Sequence, residues 1–202
     1  MKFTYFESPE NYASFLDGKM VCDICGTETK CLDAGIFFGE DEIDAICLEC
    51  LAGGGLKEMD IYTCNGDIGE LKRQLRTMNS SLTNEEINTM AEARTRELQK
   101  TTPALATWQD WDWPCADGDY CIFIGYGSRP FYNRLAKDKN GETLFKNSIY
   151  QTQAEESHVA GLWNDMPGKN IPNYKESENW SLLFYVFKSL HSDTIITCWD
   201  MD

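Results

Sequence analysis

The stretch Cys22-Asp-Ile-Cys25-Gly26, read together with Cys47-Leu-Glu-Cys50, decides the architecture. In each pair two residues separate the cysteines, a spacing that lets a tight turn aim two thiolates at one tetrahedral ion while backbone amides donate to the sulfurs. Two such pairs complete a four-sulfur shell. The 21 residues between Cys25 and Cys47 lie just beyond the ~15–20 usual in zinc ribbons, and a hairpin spans that gap easily. Four cysteine ligands leave no open coordination position, so the expected cofactor is one structural zinc ion and not a catalytic one. A redox CxxC would want a thioredoxin-like βαβ setting, which the flanking residues do not show, and a disulfide framework would want an export signal.

Outward from the cysteines, Phe3 to Phe6 reads as a short aromatic strand ended by Ser8-Pro9. Between the two pairs lie the apolar segment Ala34-Gly-Ile-Phe-Phe-Gly39 and the acidic run Glu40-Asp-Glu-Ile-Asp44, and Gly53-Gly-Gly55 follows as a knuckle exit or hinge. Residues 1–64 are thus read as a four-cysteine zinc-binding module and residues 65–202 as an α+β domain. Ile68 to Met78 is expected to form a helix with Leu71, Leu75 and Met78 facing inward. A second helix, 83–100, is the clearest element: Thr83 and Glu86 have capping-box spacing, Ile87, Met90, Ala91 and Leu98 make an apolar stripe, and Pro103 stops it. The two helices are expected to cover a sheet.

Beyond Pro103 the pattern turns strand-like. Tyr120-Cys-Ile-Phe-Ile-Gly-Tyr126 suits a buried strand, and Ser181-Leu-Leu-Phe-Tyr-Val-Phe187 with Thr194-Ile-Ile-Thr-Cys-Trp199 reads as a pair of strands. Residues 137–180 are polar and are expected to be irregular, with a turn at Lys139-Asn-Gly141. The fold class is therefore α+β: an N-terminal four-cysteine zinc knuckle packed on a mixed domain with an antiparallel sheet and one or two helices.

The 202-residue chain is 42% hydrophobic and 12% aromatic, ample for a core. Its net charge of -15 is not evenly spread: residues 1–64 hold 13 acids against 4 bases, and residues 65–107 hold 6 of each. Such a chain is repelled by nucleic-acid phosphates and by anionic membranes, so neither is an expected partner. Lys2 is followed by no apolar run of a leader, and no segment approaches the ~18 apolar residues of a membrane helix, which predicts a cytoplasmic protein. A surplus of acid beside the cysteines is either plain solubility or a surface matched to a basic partner.

Catalytic patterns are scarce. His158 and His191 are the two histidines, and neither stands in a nucleophile or metal-hydrolase pattern. Cys31, Cys64, Cys115, Cys121 and Cys198 read as buried thiols; a second metal site from Cys115, Cys121, His191 and Cys198 would lack any CxxC spacing. Trp108-Gln-Asp-Trp111-Asp-Trp113 is aromatic enough to stack bases, but its interleaved acids oppose phosphate, leaving core anchoring or a protein contact. Asp110, Asp112, Asp117 and Asp119 do not have EF-hand spacing.

Three blocks of residues resemble the CbrC family of colicin-tolerance proteins. The first is Cys22-x-x-Cys25-Gly26 with Gly35-Ile-Phe-Phe38, Asp41-Glu42-Ile43 and Cys47-x-x-Cys50-x-Ala52-x-Gly54. The second is Thr102-Pro103, Trp108-Gln109, Trp113, Cys115 and Asp119-Tyr120-Cys121-Ile-Phe-Ile-Gly125. The third is Leu183-Phe184-Tyr185-Val186-Phe187-Lys188, Leu190-His191 and Trp199-Asp200. The chain departs from the family pattern where Ser189 and Ser192 stand in place of a Cys-Leu-His-Cys pair, and where Cys47-Leu-Glu-Cys50 replaces a frequent Cys-Pro-Trp-Cys.

The resemblance implies tolerance to nuclease colicins and immunity roles beside secreted toxins, contact-dependent inhibition among them. The expected function is then an immunity-type protein that neutralises a basic, nuclease-like toxin domain by docking and catalyses nothing. Its expected contact rim is Glu40, Asp41, Glu42 and Asp44 with Trp108, Asp110, Trp111 and Asp112. Two other readings stay open: a cysteine-dependent redox protein or enzyme, and a zinc-ribbon nucleic-acid module opposed by the charge.

Overall fold

The apolar run Leu182–Lys188 is the middle strand of a three-stranded antiparallel sheet, flanked by Ile195–Met201 on one side and Ile122–Tyr126 on the other. Tyr185 is the common rung, opposite Cys198 and Tyr126, and the register toward Ile122–Tyr126 shifts at Val186/Phe187. Side chains alternate between faces along a strand. Leu183, Tyr185 and Phe187 enter one apolar core while Phe184 and Val186 enter another. Burial on both faces is why the run reads as continuously apolar instead of alternating. The computed structural model describes residues 2–109, 111–137, 140–153 and 156–202, with the backbone alone at 152 and 156–160.

On the first face Phe187 meets Trp113, Phe123 and Trp111, and Phe6 packs on Phe123 and Trp113. The N-terminal aromatic segment is not a full strand. It makes a single parallel bridge, Phe6 to Phe123, in which Phe123 N donates to Tyr5 O and Glu7 N to Phe123 O. Ser8-Pro9 then opens a one-turn helix, Pro9–Tyr12.

The second face is covered by one helix just before residues 137–180 and by two inside that region, expected from the sequence to be irregular. Helices Arg129–Leu135, Gly141–Ser148 and Glu156–Asp165 supply Phe131, Tyr132, Phe145 and Leu162 against Phe184 and Val186. The first two of these helices are short and start on single side-chain caps: Ser128 accepts from Phe131 N, and Asn140 from Glu142 N. The turn expected at Lys139-Asn-Gly141 is instead this helix start at Asn140 and Gly141; Lys139 lies outside the described residues. Gly141 is there for space, because a Cβ would fall 2.8 Å from the Asn133 amide nitrogen. Tyr132 Oη, Thr197 and Ser148 close a buried hydroxyl chain between helix and sheet.

The two expected helices form as Ile68–Met78 and Asn84–Thr101. The capping box is complete: Thr83 Oγ1 accepts from Glu86 N, and the Glu86 carboxylate accepts from Thr83 N. Leu71 and Leu75 are buried as expected, but Met78 is exposed, since the helix ends there and its last turn overhangs the core. These helices pack chiefly on each other and on the small hairpin Cys115–Ala116/Asp119–Tyr120. The long helix also reaches back to the cysteine region: Lys100 Nζ donates to Met59 O and Ile61 O, and Thr63 N to Gln99 O. One apolar cluster runs from Cys22, Leu32 and Leu51 through Leu71 and Leu98 to Phe123 and Tyr185, crossing residue 64. No described helix is long and apolar enough to cross a membrane.

Candidate metal centre

The first cysteine pair sits in the turn of a hairpin, Met20–Val21 against Glu28–Thr29. Cys22 N donates to Thr27 O and Gly26 N to Cys22 O, and Gly26 has φ +71, a left-handed conformation that favours glycine. The second pair sits where the strand Ala45–Cys47 runs into the short helix Leu48–Ala52; Cys47 is its cap residue and Cys50 lies in its only full turn. Strand Cys31–Asp33 pairs with Ala45–Cys47, placing buried Leu32 opposite buried Ile46 beneath the cysteines.

All four sulfurs of Cys22, Cys25, Cys47 and Cys50 lie within 4.8 Å of one another. A tetrahedron with metal–sulfur bonds of ~2.3 Å has edges of ~3.8 Å, so the donor set fits one such ion with a small inward adjustment. Two sulfurs already accept amides: Cys47 N donates to Cys22 Sγ at 3.3 Å and Cys50 N to Cys47 Sγ at 3.4 Å. All nine cysteines are free thiols. Hydrogen bonds from Thr27, then Cys50, pull the exposed Cys25 thiol down to about 6, whereas burial first and the neighbouring sulfurs second push Cys47 and Cys50 up. Four thiolates this close repel one another, and a divalent cation held among them would supply the opposing charge.

Asp23 is a residue that the cysteine spacing does not reveal. Its Oδ2 accepts from Asp44 N at 2.9 Å and Ala45 N at 2.8 Å, while its own amide donates to Ala45 O. It thereby clamps the first knuckle to the strand that delivers the second. An acid inside a Cys-x-x-Cys turn, with no charge to balance, was the available signal. Asp23→Ala is expected to weaken metal binding ~10–100-fold and to cost about 1–2 kcal/mol, read by chelator competition and by thermal melting; unchanged metal affinity would remove Asp23 from the site.

The other expected residues are placed as follows. Glu40, Asp41, Glu42 and Asp44 are all exposed. Their loop is pinned to Asp60, whose amide donates to Asp41 Oδ2 and whose carbonyl accepts from the Glu40 and Asp41 amides. Trp108 is 44% exposed, and its amide donates to the fully buried Asp200. Trp111 is half-buried against Tyr185 and Phe187, and Asp112 is exposed; Asp110 lies outside the described residues.

Asp117 and Asp119 do not gather with Asp112. Asp117 accepts the hydroxyls of Ser189 and Ser192. Asp119 is buried, accepts from Tyr5 Oη and Tyr120 N, and pairs with Arg94 and His191. Cys115, Cys121 and Cys198 are buried, and burial pushes their thiols up, Cys115 to about 12. Among the described residues, Cys22, Cys25, Cys47 and Cys50 are the one group of three or more possible ligands that converge. Cys31 sits beside them, opposite Cys47 in the ladder, with its sulfur 3.6 Å from Met20 O.

No solved structure matches the chain. The family model described as "Uncharacterised protein family (UPF0167)" matches residues 1–201, so this chain, with its four converging cysteines, belongs to that family.

Proposed function

We propose that the family is the CbrC family and that this member is a cytoplasmic immunity-type protein, which docks on a basic, nuclease-like toxin domain and neutralises it. One zinc ion holds its frame and takes no part in chemistry. The observation that carries the reading is the acidic loop Glu40–Asp44: four exposed carboxylates, tied to Asp60 and placed directly before the second metal knuckle, on a chain of net charge -15. A rigid acidic rim opposes the phosphate-binding lysines and arginines of a nuclease, and such complementarity steers association toward ~10⁸–10⁹ M⁻¹s⁻¹ at low salt. Cys115, Cys121 and Cys198 are buried with their thiols pushed up, which supports docking over cysteine chemistry at those positions, because a reactive cysteine needs access and a lowered pKa; the exposed Cys25 is a metal ligand in this reading.

The test is association kinetics with purified toxin domains in low and high salt, beside metal analysis of the protein. Tight, salt-weakened binding and one zinc per chain are expected. The double reversal Glu40→Lys, Glu42→Lys leaves the Asp41 clamp intact and is expected to slow association at least ~10-fold at low salt. Unchanged association in that variant would move the contact elsewhere, and no binding by any basic toxin domain would end the immunity reading.

A further inference from the structure

A cleft of about 140 Å³ opens where three segments meet: Phe38, Thr63 to Asn65, and Leu105 and Thr107 with Trp111 to Trp113. Backbone bonds knit the last two together, with Trp113 N donating to Asn65 O and Asp67 N to Trp113 O. Trp113 is thereby tied to Asn65 and Asp67. Phe38 is 41% exposed and stacks on Tyr62 at 5.6 Å, while Trp111 is held by Tyr185 and Phe187. Small-molecule pockets run to ~300–1,000 Å³, so this cleft admits one side chain and not a cofactor.

Its chemistry selects the side chain. Among the described residues Asp112 is the single charged residue of the lining, with no Lys or Arg to answer it. Aromatic faces around one carboxylate fit a planar cation: a guanidinium stacks on the ring while its N–H fork donates to the carboxylate, which an ammonium cannot do in that geometry. Partial burial first, and the Asp67 charge second, push the Asp112 carboxyl up. The site thus lacks a positive charge that an incoming cation would supply. Phe38 and Gly39 lead directly into Glu40, Asp41 and Glu42, so the approach to the cleft is acidic as well.

We propose that the cleft between Phe38 and Trp111–Asp112 receives one arginine side chain of a basic partner protein, resting on the docking reading above. The acidic loop guides the partner and the cleft fixes its register. Interface hot spots are enriched in aromatic and arginine side chains that fill pockets, which suits a cleft lined by Phe38, Trp111 and Asp112.

The experiment uses the full chain alone, with no toxin. Nα-acetyl-arginine methylamide is titrated in while the indole N–H resonances are followed by NMR, with Trp111 assigned from Trp111→Phe. A saturable shift of Trp111 is expected, half-complete on the order of 10 mM. The neutral citrulline analogue should leave that resonance in place. In Asp112→Asn the midpoint should rise about tenfold, and in Phe38→Ala severalfold, with metal content and circular dichroism unchanged. Absence of a saturable shift, an equal response to citrulline, or an unchanged midpoint in Asp112→Asn would each overturn the slot. The two readings fail separately: toxin binding without arginine binding sinks the slot alone, and arginine binding without any toxin partner sinks the immunity reading alone.

Discussion

Cys47→Ser, or removal of the ion by a strong chelator, is expected to abolish the cooperative thermal transition of the whole chain instead of loosening one end of it. The strands around the cysteines are two or three residues long, too short to hold register unaided. What they carry is core: Cys22, Leu32, Ile46, Leu51 and Leu56 are at most 1% exposed and belong to the apolar cluster that includes Leu71, Phe123 and Tyr185. A structural zinc site contributes ~10–16 kcal/mol in isolated fingers, against ~5–15 kcal/mol for the net stability of a whole protein. Losing even ~5 kcal/mol lowers the melting temperature by ~10–20 °C in a chain of this size. Calorimetry with parallel metal analysis checks it, and a metal-free protein that melts within a few degrees of the loaded one would show that the site is dispensable.

Phe187→Ala should be the most damaging substitution away from the cysteines. Phe187 is fully buried and its ring lies 5.1 Å from Trp113, 5.5 Å from Phe123 and 6.0 Å from Trp111. Truncating a buried Phe costs ~3–5 kcal/mol through lost transfer energy and the cavity left behind, here a fall of ~6–20 °C. Because the sulfurs are not touched, the folded fraction should retain its metal, which separates this effect from that of Cys47→Ser. A loss under ~1 kcal/mol in denaturant titration would mean that the aromatic cluster is not the centre of the core.

The parts of the fold legible in the sequence are those where one local rule dominates. Thr83 and Glu86 satisfy a capping box within four residues, and Cys22, Cys25, Cys47 and Cys50 satisfy a ligand spacing that needs no long-range knowledge. Residues 181–187 and 194–199 read as a pair of strands, which form at Leu182–Lys188 and Ile195–Met201; the first is legible because burial on both sheet faces demands an apolar run. Residues 137–180 were not readable. Their helices hold together through Phe145, Leu162 and Met166 packing on a sheet formed mostly of later residues, and propensity alone gives no sign of that. Asp23 escaped for a related reason: its partners Asp44 and Ala45 lie 21 and 22 residues away. The aromatic cleft draws on three separate segments and is visible only once they are assembled.

The strand order has a further consequence for a chain made from its N-terminus. Leu182–Lys188 lies between Ile122–Tyr126 and Ile195–Met201, so the sheet has no centre until residue 188 has been synthesised. Until then Phe123 and Trp113 lack their shared partner Phe187, at ribosomal rates of ~5–20 residues per second, for several seconds. The cysteine pairs, closed over contacts of about 25 residues, can capture an ion well before that. An ion that binds these cysteines can therefore be taken up before the middle strand of the sheet exists.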